Sequence, residues 1–409
     1  MRILFVHQNF PGQYKHLAVA LARLGHEVVA LGTAERGNMA PVRYIRYRSE
    51  VAPNDRTHPW VKDLEAKVIR GQACLQAAAR LQAQGFTPDL ICAHPGWGEP
   101  LFLKQLWPQT PQLHYVEFFY RSQGQDSGFD PEFGQMDLAR KARLEAKNAN
   151  NLLNLNTMDA GICPTTWQHS TLPRVYQPHI SVIHDGIDTQ ALQPNPSAAL
   201  ELNDDQGRLI RLSAKDTVIT YVARNLEPFR GYHQFMRALP LILQSCPDAK
   251  VLIVGGDGVS YGPAPEQGTW KARYASEVHD RVDWHRVHFL GRIPYPHLIT
   301  ALQLSRAHVY LTYPFVLSWS MLEAMSVGAP IVASDTAPVR EVITHGETGW
   351  LVDFFDPKAL ADRVIEVVRN PEKQQAVRRA ARALMVQRYD LKTRCLPAQL
   401  NLVTALAQR

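Results

Sequence analysis

The sequence predicts an α/β protein of two doubly wound halves. Each half is a parallel sheet with helices on both faces, and the strand ends of the two halves face a central cleft. Three observations carry this. The chain has 409 residues, past the size at which one core keeps growing, so two domains are expected. Short apolar runs alternate with helically spaced apolar residues from the first residue onward, which is the mark of a parallel sheet. The alternation breaks once, over residues 189–216, and restarts at Thr217.

In the first half, strands are expected at Ile3–Val6, Glu27–Leu31, Leu90–Ala93, Leu113–Val116, Gly161–Cys163 and Val182–Ile183. Leu17, Ala20, Leu21 and Leu24 have helical spacing over residues 13–24, and Gly25 stops that helix. Residues 189–216, with Pro194, Pro196 and several Asn and Asp, predict a linker or surface loop. Beyond them, strands are expected at Val218–Val222, Val251–Val254, Val287–Leu290, His308–Thr312, Ile331–Ala333 and Trp350–Val352, with a helix over 231–245. The domains are therefore residues 1–188 and 189–389, and a helix at about 390–409 packs back on the first.

Composition narrows the function. Apolar residues make up 45% and charged residues 20%, and the net charge is +6. The excess is mild and spread along the chain, without the basic stripe of a nucleic-acid domain, so no nucleic-acid partner is expected. Arg43, Arg46 and Arg48, and the helically spaced Arg140, Lys141, Arg143 and Lys147, offer three readings. They are a peripheral contact of the N-terminal domain with anionic lipid at the inner membrane face, a contact with a phosphorylated acceptor, and a solvated surface. No apolar run is long enough to span a bilayer, and residues 1–7 are too short for a signal peptide, so a cytoplasmic protein is expected. Five scattered cysteines, with no Cys-x-x-Cys pair, predict buried thiols rather than disulfides or a zinc site.

Ligands of doubly wound sheets lie beyond the carboxyl ends of the strands, so the residues there are the candidates. After the first strand, Gly12 in His7-Gln-Asn-Phe-Pro-Gly-Gln13 permits a tight turn into a helix whose N–H groups suit an anion. The single glycine fails the Gly-x-Gly-x-x-Gly fingerprint, which argues against an NAD-linked dehydrogenase. Arg224 and Arg230 bracket the loop after the strand at 218–222, where two guanidinium groups suit a diphosphate and its developing charge. Leu317-Ser-Trp-Ser-Met-Leu-Glu323 starts a helix capped near Ser318–Ser320. Glu323, expected in its first turn, suits the two hydroxyls of a ribose. Ala93-His94-Pro-Gly-Trp-Gly-Glu99 and His114-Tyr-Val-Glu117 place His94, Glu99 and Glu117 at strand ends of the first half, as acceptor-side groups. No Asp-x-Asp occurs, so a carboxylate-held divalent metal is not expected.

The segment Glu323-Ala-Met-Ser-Val-Gly328-Ala-Pro330-Ile-Val-Ala-Ser334 resembles the donor-site signature of retaining glycosyltransferases of family 4, which have the GT-B fold of two Rossmann-like domains. Thr336–Val342, Gly346–Val352 and Val182–Asp188 resemble the same family. The resemblance implies transfer of a sugar from a nucleotide diphosphate-sugar to a hydroxyl of a glycan, lipid-linked or small-molecule acceptor, with retention and without metal or other cofactor. It puts Arg224 and Arg230 on the donor diphosphate, the loop at Ile293 on the base and Glu323 on the ribose, with His94 a candidate acceptor-side catalytic group. The family pattern has a second glutamate eight residues before Glu323, usually on the donor sugar; this chain has Phe315. Backbone N–H groups near Val316–Ser320, with residues of the N-terminal domain, are expected to hold the sugar instead. Two alternatives stay open: a non-catalytic nucleotide- or glycan-binding protein of the same fold, which Phe315 favours, and a sugar-nucleotide epimerase.

Overall fold

The computed structural model describes residues 1–408 except Arg36 and Asn38. The chain forms two compact units. One is Met1–Gly186 together with the segment from Lys392 onward, and the other is Ile187–Leu391.

The first unit is a seven-stranded parallel sheet. In chain order its strands are β1 (Arg2–Val6), β2 (Glu27–Gly32), β3 (Arg43–Arg46), β4 (Leu90–Ala93), β5 (Gln112–Tyr115), β6 (Ala160–Cys163) and β7 (Ile180–Val182). Their spatial order is β3-β2-β1-β4-β5-β6-β7, so the chain reverses direction across the sheet between β1 and β4. Apolar residues of β1 point to both faces. Ile3 and Phe5 join a core with Leu17 and Leu21, while Leu4 and Val6 join one with Cys74, Ala77 and Leu81. A strand buried on both faces needs a continuous apolar run, which is why Ile3–Val6 does not alternate. Val403 and Leu406, on the helix Leu396–Ala407, complete the first of these cores.

β3 is the strand that the sequence does not announce. Its pattern Arg-Tyr-Ile-Arg carries Arg43 and Arg46, two of the three arginines read above as a surface cluster. Arg46 donates to the carbonyl of Thr33 and to Glu35, and Arg43 donates to Gln84. Edge strands carry charge on their open side, which discourages pairing with another chain. The second basic cluster lies on the helix Leu138–Lys147, of which no residue is buried. Among the described residues no helix is long and apolar enough to cross a membrane. All five cysteines are buried and outside disulfides.

The second unit opens with a correction. Residues 199–213, inside the expected loop, form an antiparallel hairpin of β8 (Ala199–Asn203) and β9 (Leu209–Ser213). Leu200, Ile210 and Leu212 are buried against Val218 and Leu252. Single apolar residues at every second position, separated by charged residues such as Glu201 and Arg211, make no apolar run, so the pattern reads as polar loop although it has strand period. The main sheet has β10 (Thr217–Asn225), β11 (Ala249–Gly256), β12 (Val287–Gly291), β13 (Ser305–Tyr310), β14 (Ile331–Ser334) and β15 (Trp350–Val352), in the order β12-β11-β10-β13-β14-β15 and all parallel. Here the chain reverses between β10 and β13.

Candidate active site

In the second unit the site is built where β10 and β13 end side by side. β10 runs to Asn225; Glu227, Pro228, Phe229 and Arg230 then make a tight turn into the helix Tyr232–Ser245. Gly231 closes the turn with φ +67°, and a side chain there would strike Leu311 at 2.3 Å, so the position admits only glycine.

Arg230 is buried at 6% exposure. From Nη1 it donates to Thr312 Oγ1 at 2.8 Å, the carbonyl of Val316 at 3.0 Å and the hydroxyl of Tyr310 at 3.4 Å. All three acceptors are neutral, and among the described residues no carboxylate pairs with it. Burying an unpaired cation is costly, so this environment favours an incoming anion. The neighbouring carboxylate, Glu227, is fully buried and accepts the backbone N–H groups of Ser260 at 3.1 Å and Tyr261 at 3.2 Å. It thereby pins the loop after β11. Asn225 donates to Ser260 Oγ at 2.6 Å and accepts from Arg292 at 3.2 Å. Arg224, at the end of β10, is exposed. The two predicted arginines thus differ in kind: one is preorganised inside the protein and the other is free to swing.

The loop after β13 is held from the same centre. Tyr310 OH accepts the N–H of Ser318 at 2.8 Å, and Ser318 Oγ caps the helix Trp319–Ser326 through the N–H of Ser320 at 3.4 Å. The expected cap is therefore present. The N–H groups of Ser318 and Ser320, two of those in the Val316–Ser320 stretch expected to hold a sugar, donate within the protein here. Glu323 is the fifth residue of this helix, one place past its first turn. At 9% exposure it accepts the hydroxyl of Tyr295 at 2.7 Å. Tyr295 begins the helix Tyr295–Leu304, directly after the loop carrying half-buried Ile293. Phe315 packs among aromatic rings, 5.2 Å from Phe229 and 5.0 Å from Tyr261 between centroids.

In the first unit, β1, β4 and β5 present His7, His94 and Glu117 at their carboxyl ends. The imidazole of His7 accepts the N–H of Asn9 at Nδ1, at 2.9 Å, so its Nε2 carries the proton and donates to Gln13 Oε1 at 2.8 Å. Gln13 Nε2 in turn donates to Glu117 Oε1 at 3.0 Å. His94 repeats the pattern. Nδ1 accepts the N–H of Gly96 at 3.2 Å, and Nε2, 3.6 Å from Glu117 Oε2, has no hydrogen-bond partner although His94 is buried. Two backbone donors thus fix both tautomers, and both imidazoles direct a proton toward one carboxylate. Burial and the nearby His94 push the His7 imidazole down to about 3, so it stays neutral. Burial pushes the Glu117 carboxyl up, but the proximity of His94 and His7 and the hydrogen bond from Gln13 outweigh it and hold Glu117 below the ordinary carboxylate range. Its side chain is 29% exposed, so this carboxylate faces solvent while Gln13 is half-buried and His94 buried behind it.

Gly12 belongs to this cluster differently from expected. It has φ +46° and leads into a single 3-10 turn, Gly12–Tyr14, before the helix Leu17–Arg23. A side chain on it would meet the His7 ring at 2.4 Å, so the glycine makes room for His7. Glu99 departs further. It is fully buried, neither oxygen has a hydrogen-bond partner, and burial pushes its carboxyl up to about 7. It offers nothing to an acceptor arriving from solvent. Sequence reasoning missed His7, Gln13, Glu227, Tyr295 and Tyr310. Only His7 and Glu227, polar residues directly after apolar strands, left a signal that could have singled them out.

Residues 24–192 match the model of the glycosyl transferase family 4 group, and residues 207–384 match that of glycosyl transferases group 1. The chain is a family 4, group 1 glycosyltransferase. The glycogen synthase of Mycobacterium tuberculosis is 26% identical to it over 96% of this chain and 92% of that protein. The D-inositol 3-phosphate glycosyltransferase of Corynebacterium efficiens is 27% identical over 86% of this chain and 80% of that protein. A phosphatidyl-myo-inositol mannosyltransferase of Mycobacterium leprae is 31% identical, over 42% of each chain. Among solved structures, the sucrose-phosphate synthase of Thermosynechococcus elongatus superposes with a TM-score of 0.72 at 18% identity, over 100% of both chains. The HepE protein of Anabaena in complex with UDP-glucose does so at 0.65 and 16% identity, over 99% of each. This glycosyltransferase has the GT-B fold, and the family models and curated relatives mark it as an enzyme.

Proposed function

We propose that this glycosyltransferase moves a sugar from a nucleoside diphosphate-sugar, held by the second unit, to a hydroxyl of a glycan, lipid-linked or small-molecule acceptor bound by the first. The reaction retains the anomeric configuration and needs no metal. The observation that carries this reading is Arg230, a buried guanidinium bonded only to neutral groups at the switch point of a doubly wound sheet. As the bond between the anomeric carbon and the phosphate oxygen breaks, the departing diphosphate gains charge, and a preorganised cation stabilises it without reorganisation. The acceptor oxygen bonds the same carbon from the same face, and its proton passes to the leaving phosphate oxygen. Glu323 and Tyr295 form a polar pair suited to the ribose hydroxyls. In the first unit, Glu117 accepts and His94 Nε2 donates, the complement of one hydroxyl group. The relatives named above as acting on glycogen, inositol phosphate and phosphatidylinositol support a hydroxyl acceptor.

The test joins binding to turnover. Nucleoside diphosphates are screened by thermal shift, since a ligand of the folded state raises stability by mass action. Transfer from the matching sugar donors is then assayed in excess EDTA. Arg230→Ala is expected to cost roughly 2–4 kcal/mol in kcat/KM, with transfer by the unaltered enzyme persisting under chelation and an anomer retained by NMR. Unchanged turnover in Arg230→Ala would remove the diphosphate role, and an inverted anomer would remove retention.

A further inference from the structure

Two loops beside Arg230 bring aromatic rings to the cation, in addition to the hydroxyl of Thr312 that accepts from it. Glu227 fastens the loop after β11 through the N–H groups of Ser260 and Tyr261, and Arg230 fastens the loop after β13 through the carbonyl of Val316. Both anchors come from one turn, so Tyr261 and Phe315 are held in register with each other. Their ring centroids are 5.0 Å apart, and the Arg230 guanidinium carbon lies 5.1 Å from the Tyr261 ring centre and 5.9 Å from that of Phe315. Phe229 backs both, at 5.6 Å and 5.2 Å. Rings at this distance stabilise a cation, but Tyr261 keeps 37% exposure and Phe315 is only half-buried. Part of each ring remains available to a ligand that reaches Arg230.

We infer that Tyr261 and Phe315 form an aromatic seat for the donor's sugar ring, which takes its C–H face by stacking and does not read its hydroxyls at that face. The inference rests on the diphosphate role of Arg230. The sugar is bonded directly to the terminal phosphate, so it lies beside whatever flanks the cation, while the Glu323–Tyr295 pair serves the nucleoside. The consequence is permissiveness. A pocket built to bond a hydroxyl rejects an analogue lacking it by about 10⁴-fold or more, whereas an apolar wall discriminates by roughly 10–200-fold. The seat therefore suits hexose donors and tolerates loss or inversion of a hydroxyl on the stacked face.

The experiment is calorimetric titration of the full chain with UDP, GDP and ADP, each beside its glucose or mannose conjugate. The wild-type protein is compared with Phe315→Ala, Phe315→Leu, Tyr261→Ala and Arg230→Ala. Removing one partly buried ring face is expected to weaken the bound nucleotide-sugar by about tenfold and to leave the corresponding nucleoside diphosphate unchanged. Phe315→Leu, close in volume, keeps the fold and is expected to show the same selective loss. The deoxy and epimeric conjugates of the preferred nucleotide are expected to bind the wild-type protein within about 200-fold of the parent sugar. Equal losses on diphosphate and conjugate would move the rings to the nucleoside and overturn the seat, as would rejection of the deoxy donor by about 10⁴-fold. If no nucleoside diphosphate binds, or Arg230→Ala binds it as the wild type does, the donor reading itself fails.

Discussion

Glu99 shows what a buried acid costs when nothing answers it. Both oxygens lie inside the first unit without a hydrogen-bond partner, and burial lifts the carboxyl from an ordinary 4.5 to about 7. Between those values the folded protein keeps a proton that the unfolded chain has released, so stability falls as pH rises through that window. The penalty above pH 7 is on the order of 3 kcal/mol. Glu99→Gln, which keeps the shape without the charge, is expected to be the more stable form at pH 8 and equal to the wild type near pH 4.5. Urea denaturation at the two pH values checks this, and a constant difference between them would show that Glu99 is already paired. The sequence exposed Glu99, His94 and Glu117 equally, since all three lie at strand ends. What it could not show is depth. His94 and Glu117 lie within two residues of the ends of β4 and β5, whereas Glu99 is five residues beyond His94, where the chain has turned into the 3-10 helix Glu99–Phe102 against the helix Lys62–Ala83. Arg224 and Arg230 were legible as a pair for the same reason, and their division into an exposed and a buried cation was not.

At the scale of elements, the hairpin of β8 and β9 depends on its turn. Asp204, fully buried, accepts the N–H of Gln206 at 3.0 Å and of Arg208 at 2.8 Å, and pairs with Arg208 Nε at 2.6 Å and His288 Nδ1 at 3.2 Å. Arg208 continues to the carbonyls of Trp284 and Val287, at the start of β12. One carboxylate thus shapes the turn and joins the hairpin to the main sheet. Breaking a buried charge network by removing one partner costs about 3–5 kcal/mol, so Asp204→Ala is expected to lower unfolding stability by about 3 kcal/mol. A denaturation midpoint within error of the wild type would show the hairpin to be dispensable decoration. None of this was visible in residues 199–213, because a five-residue strand buried on one face carries two or three apolar residues, and here prolines and acids surround them. The parallel strands of both sheets were legible to within a few residues, since burial on both faces leaves continuous runs. β3 was the exception: as an edge strand it needs no such run.

The connectivity of the whole molecule separates its two units in kind. The second unit is one continuous stretch whose ends are tied to each other. Ile187 N–H donates to the Tyr389 carbonyl at 2.8 Å, Leu391 N–H donates to the Ile187 carbonyl at 2.9 Å, and Thr189 Oγ1 donates to Asp390 at 2.5 Å. The first unit is interrupted, and its core is closed by Val403 and Leu406 from the far end of the chain, both almost fully buried. Burial of such side chains contributes roughly 1.5–3 kcal/mol each, a large share of the stability of an ordinary domain. Residues 187–391 expressed alone are therefore expected to unfold cooperatively and to bind a nucleoside diphosphate with near full-length affinity, because Arg230, Glu227, Tyr295 and Glu323 all lie within them. Residues 1–186 alone are expected to lack a cooperative transition, and to regain it when the helix Leu396–Ala407 is joined back through a short linker. Circular dichroism melts of the three proteins decide the matter. A fragment 1–186 that melts as sharply as its helix-supplemented form would mean that the C-terminal helix covers the first unit without completing its core.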